Sequence, residues 1–544
     1  MASRPWLKNY EPHVPAGIQY PDKTIPQFLS DTQGKHPRYI ACTFNDIDTT
    51  YAELNGKVNG MAHALKGLGV KKGDRIAMLL PNVPTYIIAY YAVLKIGAVV
   101  VNINVGTQGE ELKSHLCSSE AKVVISLDIF VQNLYRIITD THVEAVIIHS
   151  VFGLEKKLKP EEGLPAVLIF NDLVAAHPKE EPRWECLPQD LAVLQYTSGA
   201  TGVPKAAMLT HKSIVASIMQ SLAWVQVPDA GNAAVLCIIP FFHVFGMNAC
   251  LNLSVVKGYR MILMPRFDWL DLIPLLTVIE KYRPISLPAV PSLWAALLSS
   301  PRASRELFAP VAVPTSGGGP LPEWVQKRYK ELTGRRIYEA YGLSEASSAA
   351  LFAPYPGGAP GGSIGVPLPD TEARIVQIEK GLEEVAPGEV GELLLKGPQI
   401  MQGYWRNDPL TRRTLQDGWL HTGDLARMDE KGFFYLVDRR DDLIITGGLN
   451  VYPSDVENVL AAHPALKEAA VVGTPDRMRG QAVTAYVVLQ DNATVAREDL
   501  IAFCREHMPD FKIPKAIHIV EKIPRNPVGK ALRKALRPEG DEKA

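Results

Sequence analysis

Residues 196–211 read YTSGATGVPKAAMLTH, a segment in which glycines, hydroxyl side chains and a lysine lie close together. Gly199 and Gly202 permit backbone conformations closed to other residues, so that several amide groups can point at one anion. The other polar members of the segment are Thr197, Ser198, Thr201, Lys205 and Thr210. Hydroxyls donate hydrogen bonds, and lysine supplies a mobile positive charge. The segment therefore predicts a polyphosphate cradle, with an ordinary surface turn as the alternative because the spacing departs from that of the P-loop.

Four further segments place small, aromatic and ionisable residues at predicted turns. They are SGGGPLP (316–322), EAYGLSE (339–345), GWLHTGD (418–424) and IPRNPVGKALRKAL (523–536). A loop of glycines lets a flat or bulky ligand approach the backbone, and two of the segments end in a carboxylate. Each segment, taken singly, is equally compatible with a structural turn.

Helical and strand patterns alternate around these segments. Apolar residues at spacings of three and four follow the capping-box pair Thr50 and Glu53, which predicts a helix that ends near Gly69. A buried strand is predicted at 75–80, and a second helix near 85–94. Alternation of this kind is typical of α/β layers with a largely parallel sheet.

The pattern changes at the charge-dense turn DRRDD, residues 438–442. The chain beyond it alternates strand, helix, strand, strand and helix, and ends on a basic segment. We therefore predict a large N-terminal α/β domain of several subdomains, residues 1–437, and a small mobile α+β domain, residues 438–544. The hinge between them is predicted near Asp438.

Composition excludes several classes of protein. The formal net charge is -1, so that no overall field attracts nucleic acid. The six cysteines form no CxxC pair, which fits neither a disulfide framework nor a zinc site. Polar residues interrupt both stretches of near-membrane length, 86–105 and 233–256, which are therefore predicted to be buried helix and strand. A cytoplasmic protein is predicted, and peripheral contact with the inner membrane face and oligomerisation are left open.

In this order and at these separations, the five segments resemble the adenylate-forming superfamily of acyl-CoA synthetases, luciferases and peptide-synthetase adenylation domains. The resemblance extends over nearly the whole chain. The opening PWLKNYEPHVPAGI, the SGGG loop, the run GSIGVPLPDTEARIV and the ending NPVGK look most like bacterial long-chain fatty acid–CoA ligases. This resemblance implies that ATP and Mg²⁺ activate an acid as acyl-AMP, which coenzyme A (CoA) then converts to a thioester.

The resemblance also implies roles for individual residues. The β- and γ-phosphates of ATP are expected to contact Thr197, Ser198, Gly199, Thr201, Gly202 and Lys205. The adenine slot is expected to comprise Gly317, Gly318, Pro320, Ala340, Tyr341 and Gly342. Ser344 is expected at the α-phosphate, Asp424 at the ribose hydroxyls and Arg439 near ribose and phosphate. Glu345 is the expected catalytic Mg²⁺ ligand, together with Thr197.

Lys530 is expected to be the catalytic residue of the first step, because an ammonium group can bridge the carboxylate and the α-phosphate. In the family, the small domain then rotates about the position of Asp438, and Lys530 leaves the site. The resemblance implies that residues 445–450 enter in its place. Gly447 and Gly448 would then line the tunnel for the pantetheine arm of CoA.

The acid is expected to bind at PFFHVFGM, residues 240–247, where His243 matches the residue that packs against the reacting carboxyl group. Peptide-synthetase relatives carry an aspartate there, which pairs with the amino group of their substrate. A histidine would leave a buried ammonium group unpaired, so that an amino acid substrate is unfavourable. The surrounding residues are apolar enough for an alkyl chain.

Three residues in or beside the predicted functional segments depart from the family pattern. Ala200 replaces a threonine and Ala206 a glycine in the phosphate segment, and Asp441 replaces a lysine. The missing threonine hydroxyl predicts weaker ATP binding or slower adenylation than the family's common loop would give. An acid near phosphates is also unfavourable, so that the second conformation of the small domain is expected to be stabilised differently.

The leading interpretation is an ATP-dependent fatty acid–CoA ligase for medium or long chains. Two alternatives keep the adenylation: a fatty acyl-AMP ligase that serves a carrier protein, and an aryl acid ligase. A third is a non-catalytic sensor of acyl-adenylate or nucleotide. Lys530, Glu345 and Asp424 favour an enzyme, whereas Ala200 and Asp441 keep the sensor open.

Overall fold

The computed structural model describes residues 4–150, 165–183, 186–197, 205–226, 231, 233–265, 271–378, 382–525 and 531–537. The chain divides into two compact units. The first consists of residues 1–372 and 395–420, and the second of residues 373–394 and 421–544. The domain boundary after residue 437 and the hinge near Asp438 stay predictions.

The helices have capping and burial patterns that the sequence dictates. They are α1 (Ile25–Lys35), α2 (Tyr51–Gly67), α3 (Pro84–Lys95), α4 (Gly109–Ser119), α5 (Val131–Tyr135), α6 (Phe170–Ala176), α7 (His211–Trp224), α8 (Leu253–Lys257), α9 (Ile273–Tyr282), α10 (Pro291–Ser299), α11 (Arg305–Phe308), α12 (Glu323–Thr333), α13 (Asp408–Thr414), α14 (Pro453–Ala461) and α15 (Arg497–His507). The capping box predicted for α2 is confirmed: Thr50 Oγ1 accepts from Glu53 N at 3.2 Å, and Glu53 Oε2 accepts from Thr50 N at 2.8 Å.

The strands of the described residues fall into four sheets. They are β1 (Ile40–Phe44), β2 (Ile47–Thr50), β3 (Arg75–Leu79), β4 (Val99–Asn102), β5 (Ala121–Leu127), β6 (Ala145–His149), β7 (Ala166–Ile169), β8 (Leu191–Thr197), β9 (Lys205–Thr210), β10 (Ala234–Cys237), β11 (Arg260–Leu263), β12 (Ser286–Ala289), β13 (Val313–Gly317), β14 (Tyr338–Leu343), β15 (Ser348–Phe352), β16 (Val366–Pro367), β17 (Glu372–Val376), β18 (Gly391–Lys396), β19 (Leu415–Gln416), β20 (Trp419–Met428), β21 (Phe434–Arg439), β22 (Ile444–Thr446), β23 (Leu449–Val451), β24 (Leu466–Asp476), β25 (Gly480–Leu489) and β26 (Ala516–Ile519).

The first unit contains two large, mainly parallel sheets. One has the order β7-β6-β5-β3-β4-β8-β9, in which only the β8–β9 pair is antiparallel. The other has the order β16-β15-β14-β13-β12-β10-β11-β1-β2 and is parallel from β14 to β1. Their strands are apolar runs, and α3 is buried from Thr85 to Lys95, as expected for parallel sheets covered by helices. The predicted α/β class is confirmed.

The strands that carry the C-terminal motifs form two smaller sheets. The order in one is β17-β18-β20-β19, with β21 paired to β20. The order in the other is β23-β22-β25-β24, with β26 paired to β25, and α14 and α15 cover its apolar face. The pattern predicted for this part is confirmed, with the short β22–β23 hairpin and β26 in addition. In the described part of the chain, every helix is too short or too polar to span a bilayer.

Candidate active site

The described ends of the phosphate segment are the antiparallel strands β8 and β9, which we call the phosphate hairpin. Thr197, the last residue of β8, lies directly opposite Lys205, the first residue of β9, and its hydroxyl is 3.4 Å from the carbonyl oxygen of Lys205. The structure therefore brings together the two ends of the predicted cradle. Ala206, one of the departures, is buried in the core beneath the sheet. The remaining predicted phosphate ligands lie outside the described residues: Ser198, Gly199, Thr201 and Gly202.

The two predicted adenine segments are neighbours in the nine-stranded sheet. Gly317, at the carboxyl end of β13, lies opposite Ala340 of β14 in parallel register. A Cβ at Gly317 would lie 3.3 Å from Ala340 O and 3.4 Å from the ring of Phe245, so that even alanine would be tightly packed there. Gly318 follows with a φ of 84°, a conformation that favours glycine. The other predicted members of the slot lie in the same two segments: Pro320, Tyr341 and Gly342.

Ser344 and Glu345 lie in a turn, residues 344–348, which we call the serine turn. It ends with two left-handed residues, Ser347 with a φ of 56° and Ser348 with a φ of 132°. Such conformations are unusual for serine and persist only where surrounding contacts impose them. The turn lies against Gly342, where a Cβ would overlap the carbonyl oxygen of Ser348.

Buried side chains hold the serine turn in this conformation. The Asn248 amide donates to Ser347 O, and the Ser347 hydroxyl donates to Gln399 O at 2.8 Å. Met401 N donates to Glu345 O at 2.8 Å, and the Tyr404 hydroxyl donates to Glu345 Oε1 at 2.7 Å. The turn is therefore fixed both through its backbone and through its carboxylate.

The predicted acid-binding residue, His243, is a neutral imidazole. Its Nδ1 accepts from Phe245 N at 3.2 Å, which leaves the Nε2–H as the ring's donor. Burial lowers the pKa of His243 to about 4. A π-helix, Gly246–Asn252, follows, and a Cβ at its first residue would overlap the carbonyl oxygens of Ile239 and Pro240. Stretch 233–256 thus contains the strand and helix that the sequence predicts, interrupted by a π-helix that it does not.

A buried polar chain joins residues 240–252, which we call the acid loop, to the phosphate hairpin. Gln195 of β8, two residues before Thr197, donates through Nε2 to Phe242 O at 2.9 Å. Its Oε1 accepts from Asn102 Nδ2 at 3.1 Å, and Asn102 Oδ1 accepts from the Tyr86 hydroxyl at 2.6 Å. All three side chains are buried, so that these bonds fix the loop before His243 relative to β8.

In the second unit, the two residues predicted to bind ribose are directly opposite each other. Asp424 of β20 pairs with Arg439 of β21, and Arg439 Nε lies 2.9 Å from Asp424 Oδ1. Asp424 N donates to the Thr422 hydroxyl at 3.0 Å. The carboxylate of Glu392, only 3% exposed, accepts from Gly423 N at 3.1 Å. The strand that carries Asp424 is therefore well fixed.

The predicted hinge residue, Asp438, is almost fully buried. Its side chain is 2% exposed and accepts from Ser454 N at 2.8 Å and from Arg533 at 3.0 Å. Arg533 also binds both carboxylate oxygens of Glu457, at 3.0 and 2.6 Å. Arg533 lies three residues after Lys530, which is itself outside the described residues.

Gly447 and Gly448 form the two-residue turn of the β22–β23 hairpin. Their φ angles are 56° and 81°, as a type I′ turn requires. A Cβ at either glycine would meet nothing within 4 Å among the described residues. The local turn therefore accounts for both glycines, and their predicted place in a CoA tunnel stays a prediction.

Comparison with known proteins identifies the family. A family model described as AMP-binding enzyme matches residues 29–405, and a second, described as AMP-binding enzyme C-terminal domain, matches residues 455–530. The chain belongs to the AMP-binding enzyme family. The adenylate-forming resemblance of the motifs is thereby confirmed, and the protein is an enzyme of the acid–thiol ligase type.

Individual relatives cover nearly the whole chain. A long-chain-fatty-acid–CoA ligase of Bacillus subtilis is 37% identical, over 99% of this chain and 99% of the relative. A feruloyl-CoA synthase of Amycolatopsis is 33% identical, over 92% of this chain and 96% of the relative. Among solved structures, ATP-bound MatB from Rhodopseudomonas palustris matches 95% of this chain and 98% of its own, with a TM-score of 0.85 and 28% identity.

The residues present are compatible with the metal that the family implies. No group of three or more His, Cys, Asp or Glu side chains capable of holding a metal occurs in the described part of the chain. Mg²⁺ is commonly held by one or two carboxylates together with substrate phosphates, which Glu345 and the phosphate hairpin could supply. Among the described residues, the Tyr404 hydroxyl occupies Glu345 Oε1, and nothing bonds to Oε2. Magnesium bound with ATP would therefore use Glu345, with Thr197 as the second predicted ligand.

The residues that hold the serine turn belong to none of the predicted functional motifs. Asn248, Gln399 and Tyr404 are each far from the turn in sequence, and all three are buried. The one local sequence signal is the glycine beside Tyr404: Gly403 has a φ of 146°, which few other residues adopt. The contacts themselves are long-range and have no pattern in a single sequence.

Proposed function

We propose that the chain is an ATP-dependent fatty acid–CoA ligase for medium- or long-chain acids. It converts the acid to acyl-AMP with release of pyrophosphate, and CoA then displaces AMP to give acyl-CoA. The observation that carries this proposal is the acid loop, residues 240–252. That loop contains no Asp, Glu, Lys or Arg. Its histidine, His243, is kept neutral by burial.

The loop suits a carboxylic acid with an apolar tail. The Nε2–H of His243 can donate to a carboxylate without the cost of burying a second charge. Phe241, Phe242, Val244 and Met247 are buried around it. Each methylene of an alkyl chain that enters such surroundings contributes about 0.8 kcal/mol, so that affinity would rise with chain length until the pocket ends.

The first step requires two anions to meet, and the proposed roles follow from that difficulty. Thr197 and Lys205 hold the leaving pyrophosphate at the hairpin, and Lys530 stabilises the charge between carboxylate and α-phosphate. Bound Mg²⁺ would neutralise phosphate charge. Asp424 and Arg439 orient the ribose.

The second step needs a different arrangement of the small domain. We propose residues 438–544 as that domain and Asp438 as its hinge, and Gly447 and Gly448 as the lining of the pantetheine path. A domain rotation of this kind lets one active site serve two reactions in turn. The buried Asp438 side chain would move with the small domain, since Ser454 and Arg533 hold it there.

The names of the relatives support the acyl proposal. The Bacillus subtilis protein is named as a long-chain-fatty-acid–CoA ligase, and another protein with that name, from Salmonella typhimurium, is 35% identical over 98% of this chain. An aryl acid is the second candidate substrate. It is favoured by the feruloyl-CoA synthase and by the structure of an anthranilate CoA ligase with anthranoyl-AMP, which is 26% identical.

The decisive experiment is carboxylate-dependent exchange of pyrophosphate into ATP. Acetate, octanoate, palmitate, benzoate, cinnamate and ferulate are compared, followed by AMP release with and without CoA. A maximum with octanoate or palmitate, together with CoA-dependent AMP release, is the expected result. A maximum with an aryl acid would replace the fatty acid by that substrate, and exchange without CoA dependence would indicate a carrier-protein acceptor. Absence of exchange with every acid, despite ATP binding, would favour the sensor.

A further inference from the structure

Tyr404 makes a side-chain contact with the candidate metal ligand. Its hydroxyl donates to Glu345 Oε1 at 2.7 Å, and the tyrosine is 6% exposed. A carboxylate on a three-bond side chain otherwise samples several rotamers, each of which points its oxygens elsewhere. The bond from Tyr404 therefore selects one orientation of Glu345.

The backbone of Tyr404 is tied to the phosphate hairpin. Residue 404 bridges Ala207 of β9 in antiparallel register, and Met208 N donates to Gly403 O at 2.9 Å. Trp405 N donates to Ala206 O at 2.8 Å. Since β9 begins at Lys205, Tyr404 is attached to the strand that carries the predicted pyrophosphate ligand.

A third contact fixes the backbone of Tyr404 from the C-terminal side, through α13. Tyr404 N donates to the Thr411 hydroxyl at 2.9 Å, which anchors it to α13. A Cβ at Gly403 would contact Thr411 Oγ1 and Cγ2, so that the close approach depends on glycine there. The backbone of Tyr404 is therefore fixed by β9 and α13, independently of Glu345, and burial restricts its side chain.

We propose that Tyr404 is a positioning residue for metal-bound ATP: it holds the Glu345 carboxylate at a fixed place relative to the phosphate hairpin. The inference rests on the proposed function, because it takes Glu345 as a ligand of Mg²⁺. One carboxylate oxygen is occupied by Tyr404, and the other is left for the cation. Orientation in advance of binding avoids the loss of side-chain freedom that binding would otherwise require.

The test is a Tyr404→Phe variant, which removes the hydroxyl and keeps the ring. The measured quantity is the affinity for Mn²⁺ together with α,β-methylene-ATP, followed by electron paramagnetic resonance, so that no turnover is needed. We expect binding about tenfold weaker, the size usual for one lost hydrogen bond to a charged group. The matched control is Tyr20→Phe, since Tyr20 donates to another carboxylate of the same unit, Asp370, at 2.9 Å. That variant should leave the affinity unchanged.

A double-mutant cycle separates positioning from general structural support. If Tyr404 acts through Glu345, then Tyr404→Phe should have almost no effect on metal–nucleotide affinity in a Glu345→Gln background. An equal loss in both backgrounds, or an unchanged affinity in the single variant, would overturn the proposal.

Half-reactions give the second readout. Tyr404→Phe should raise the Mg²⁺ concentration that half-saturates pyrophosphate exchange, and should leave conversion of supplied acyl-AMP and CoA to thioester unchanged. Equal slowing of both half-reactions would contradict a positioning role. Failure of the wild-type protein to catalyse exchange with any acid would refute the proposed function instead, and the metal–nucleotide measurement would still decide the role of Tyr404.

Discussion

Two regions at predicted functional positions are held by opposite kinds of interaction. The serine turn of the first unit is held mainly by neutral amides and hydroxyls. The predicted hinge residue of the second unit, Asp438, is held by a group of charges that we call the arginine cluster: Arg533 with Asp438, Asp442 and Glu457. The contrast bears on how each region responds to salt, pH and substitution.

The backbone of the serine turn has an unfavourable conformation. Two consecutive serines have positive φ, and neutral hydrogen bonds from Asn248 and to Gln399 maintain them. Neutral bonds between buried groups are little affected by salt. We therefore expect the turn to stay rigid over a wide range of ionic strength, as the roles proposed for Glu345 and Ser344 at polyphosphate require.

The arginine cluster stores no such backbone strain, because its members have ordinary φ angles. Burial alone would lower the pKa of Arg533, but Glu457, Asp438 and Asp442 more than offset this and raise it. The cluster carries three acids and one arginine, and Arg537 adds a further contact to Asp442 at 3.2 Å. Its geometry therefore depends on the balance of charges. A change in that balance can move a hinge, whereas a rigid turn must not respond to it.

The largest effect is expected from Arg533→Ala, which leaves the buried Asp438 carboxylate without its counter-charge. Removal of one partner from a buried ion pair costs about 3–5 kcal/mol. Local opening of β21 and α14, measured by hydrogen exchange of their peptides, should become correspondingly easier. Arg537→Ala is the control, because its contacts are more exposed, and it should change opening by less than about 1 kcal/mol. Equal effects of the two variants would remove the special role of Arg533.

Gly342→Ala should disrupt the serine turn by steric overlap. Its Cβ would meet the backbone of Ser348 and Ala349, which cannot rotate away as a side chain could. We expect a loss of about 3 kcal/mol in stability of the first unit and loss of pyrophosphate exchange. Gly448→Ala is the matched change in the second unit, where only the positive φ opposes it, at about 1 kcal/mol. Thermal unfolding of both variants would compare a clash with simple backbone strain.

Sequence patterns predicted structure that depends on neighbours in the chain. The helix after Thr50 follows from the local rule of capping, and the structure has it. The glycine turn at 447–448 was not predicted as a hairpin, although its φ angles fit a local rule as well. The serine turn could not be predicted, because serine has no local preference for positive φ. Its conformation comes from Asn248 and Gln399, which lie 99 and 52 residues away.

The same limit applies to the candidate site. Motif order located the hairpin ends, the adenine strands and the Asp424–Arg439 pair, all of which the structure brings together within each unit. Tyr404 was not found, because its contact with Glu345 spans 59 residues. The π-helix at Gly246–Asn252 was also missed, since its apolar pattern resembles that of an ordinary buried helix.

Asn248→Ala should break the neutral support of the serine turn without any clash. It removes the donor to Ser347 O and the acceptor for Asn252, and we expect about 2 kcal/mol of lost stability and weaker ATP binding. Asn59→Ala is the comparison elsewhere, because that buried amide donates to Lys179 O at 2.8 Å and accepts from Lys95 Nζ at 2.7 Å. It should cost at least as much stability, since it removes a partner of a buried charge, and should leave the KM for ATP unchanged. An ATP effect of equal size in both variants would show that the turn has no special dependence on Asn248.

The smallest expected effect is a pH dependence from Glu339, which lies opposite Ser316 beside the adenine segments. Burial raises the pKa of Glu339 from 4.5 to about 7, and the bond from Leu321 N opposes this only in part. The folded state therefore binds a proton that the unfolded state has released, so that stability is full below about pH 4.5 and is lost as the pH rises through about 7. With allowance for solvent screening, the loss should be about 1–2 kcal/mol.

Glu339→Gln should abolish the slope of the free energy of unfolding against pH, measured between about pH 5 and pH 8, where the loss develops. The exposed Glu331→Gln should preserve it, and a slope that survives Glu339→Gln would assign the titration to another group.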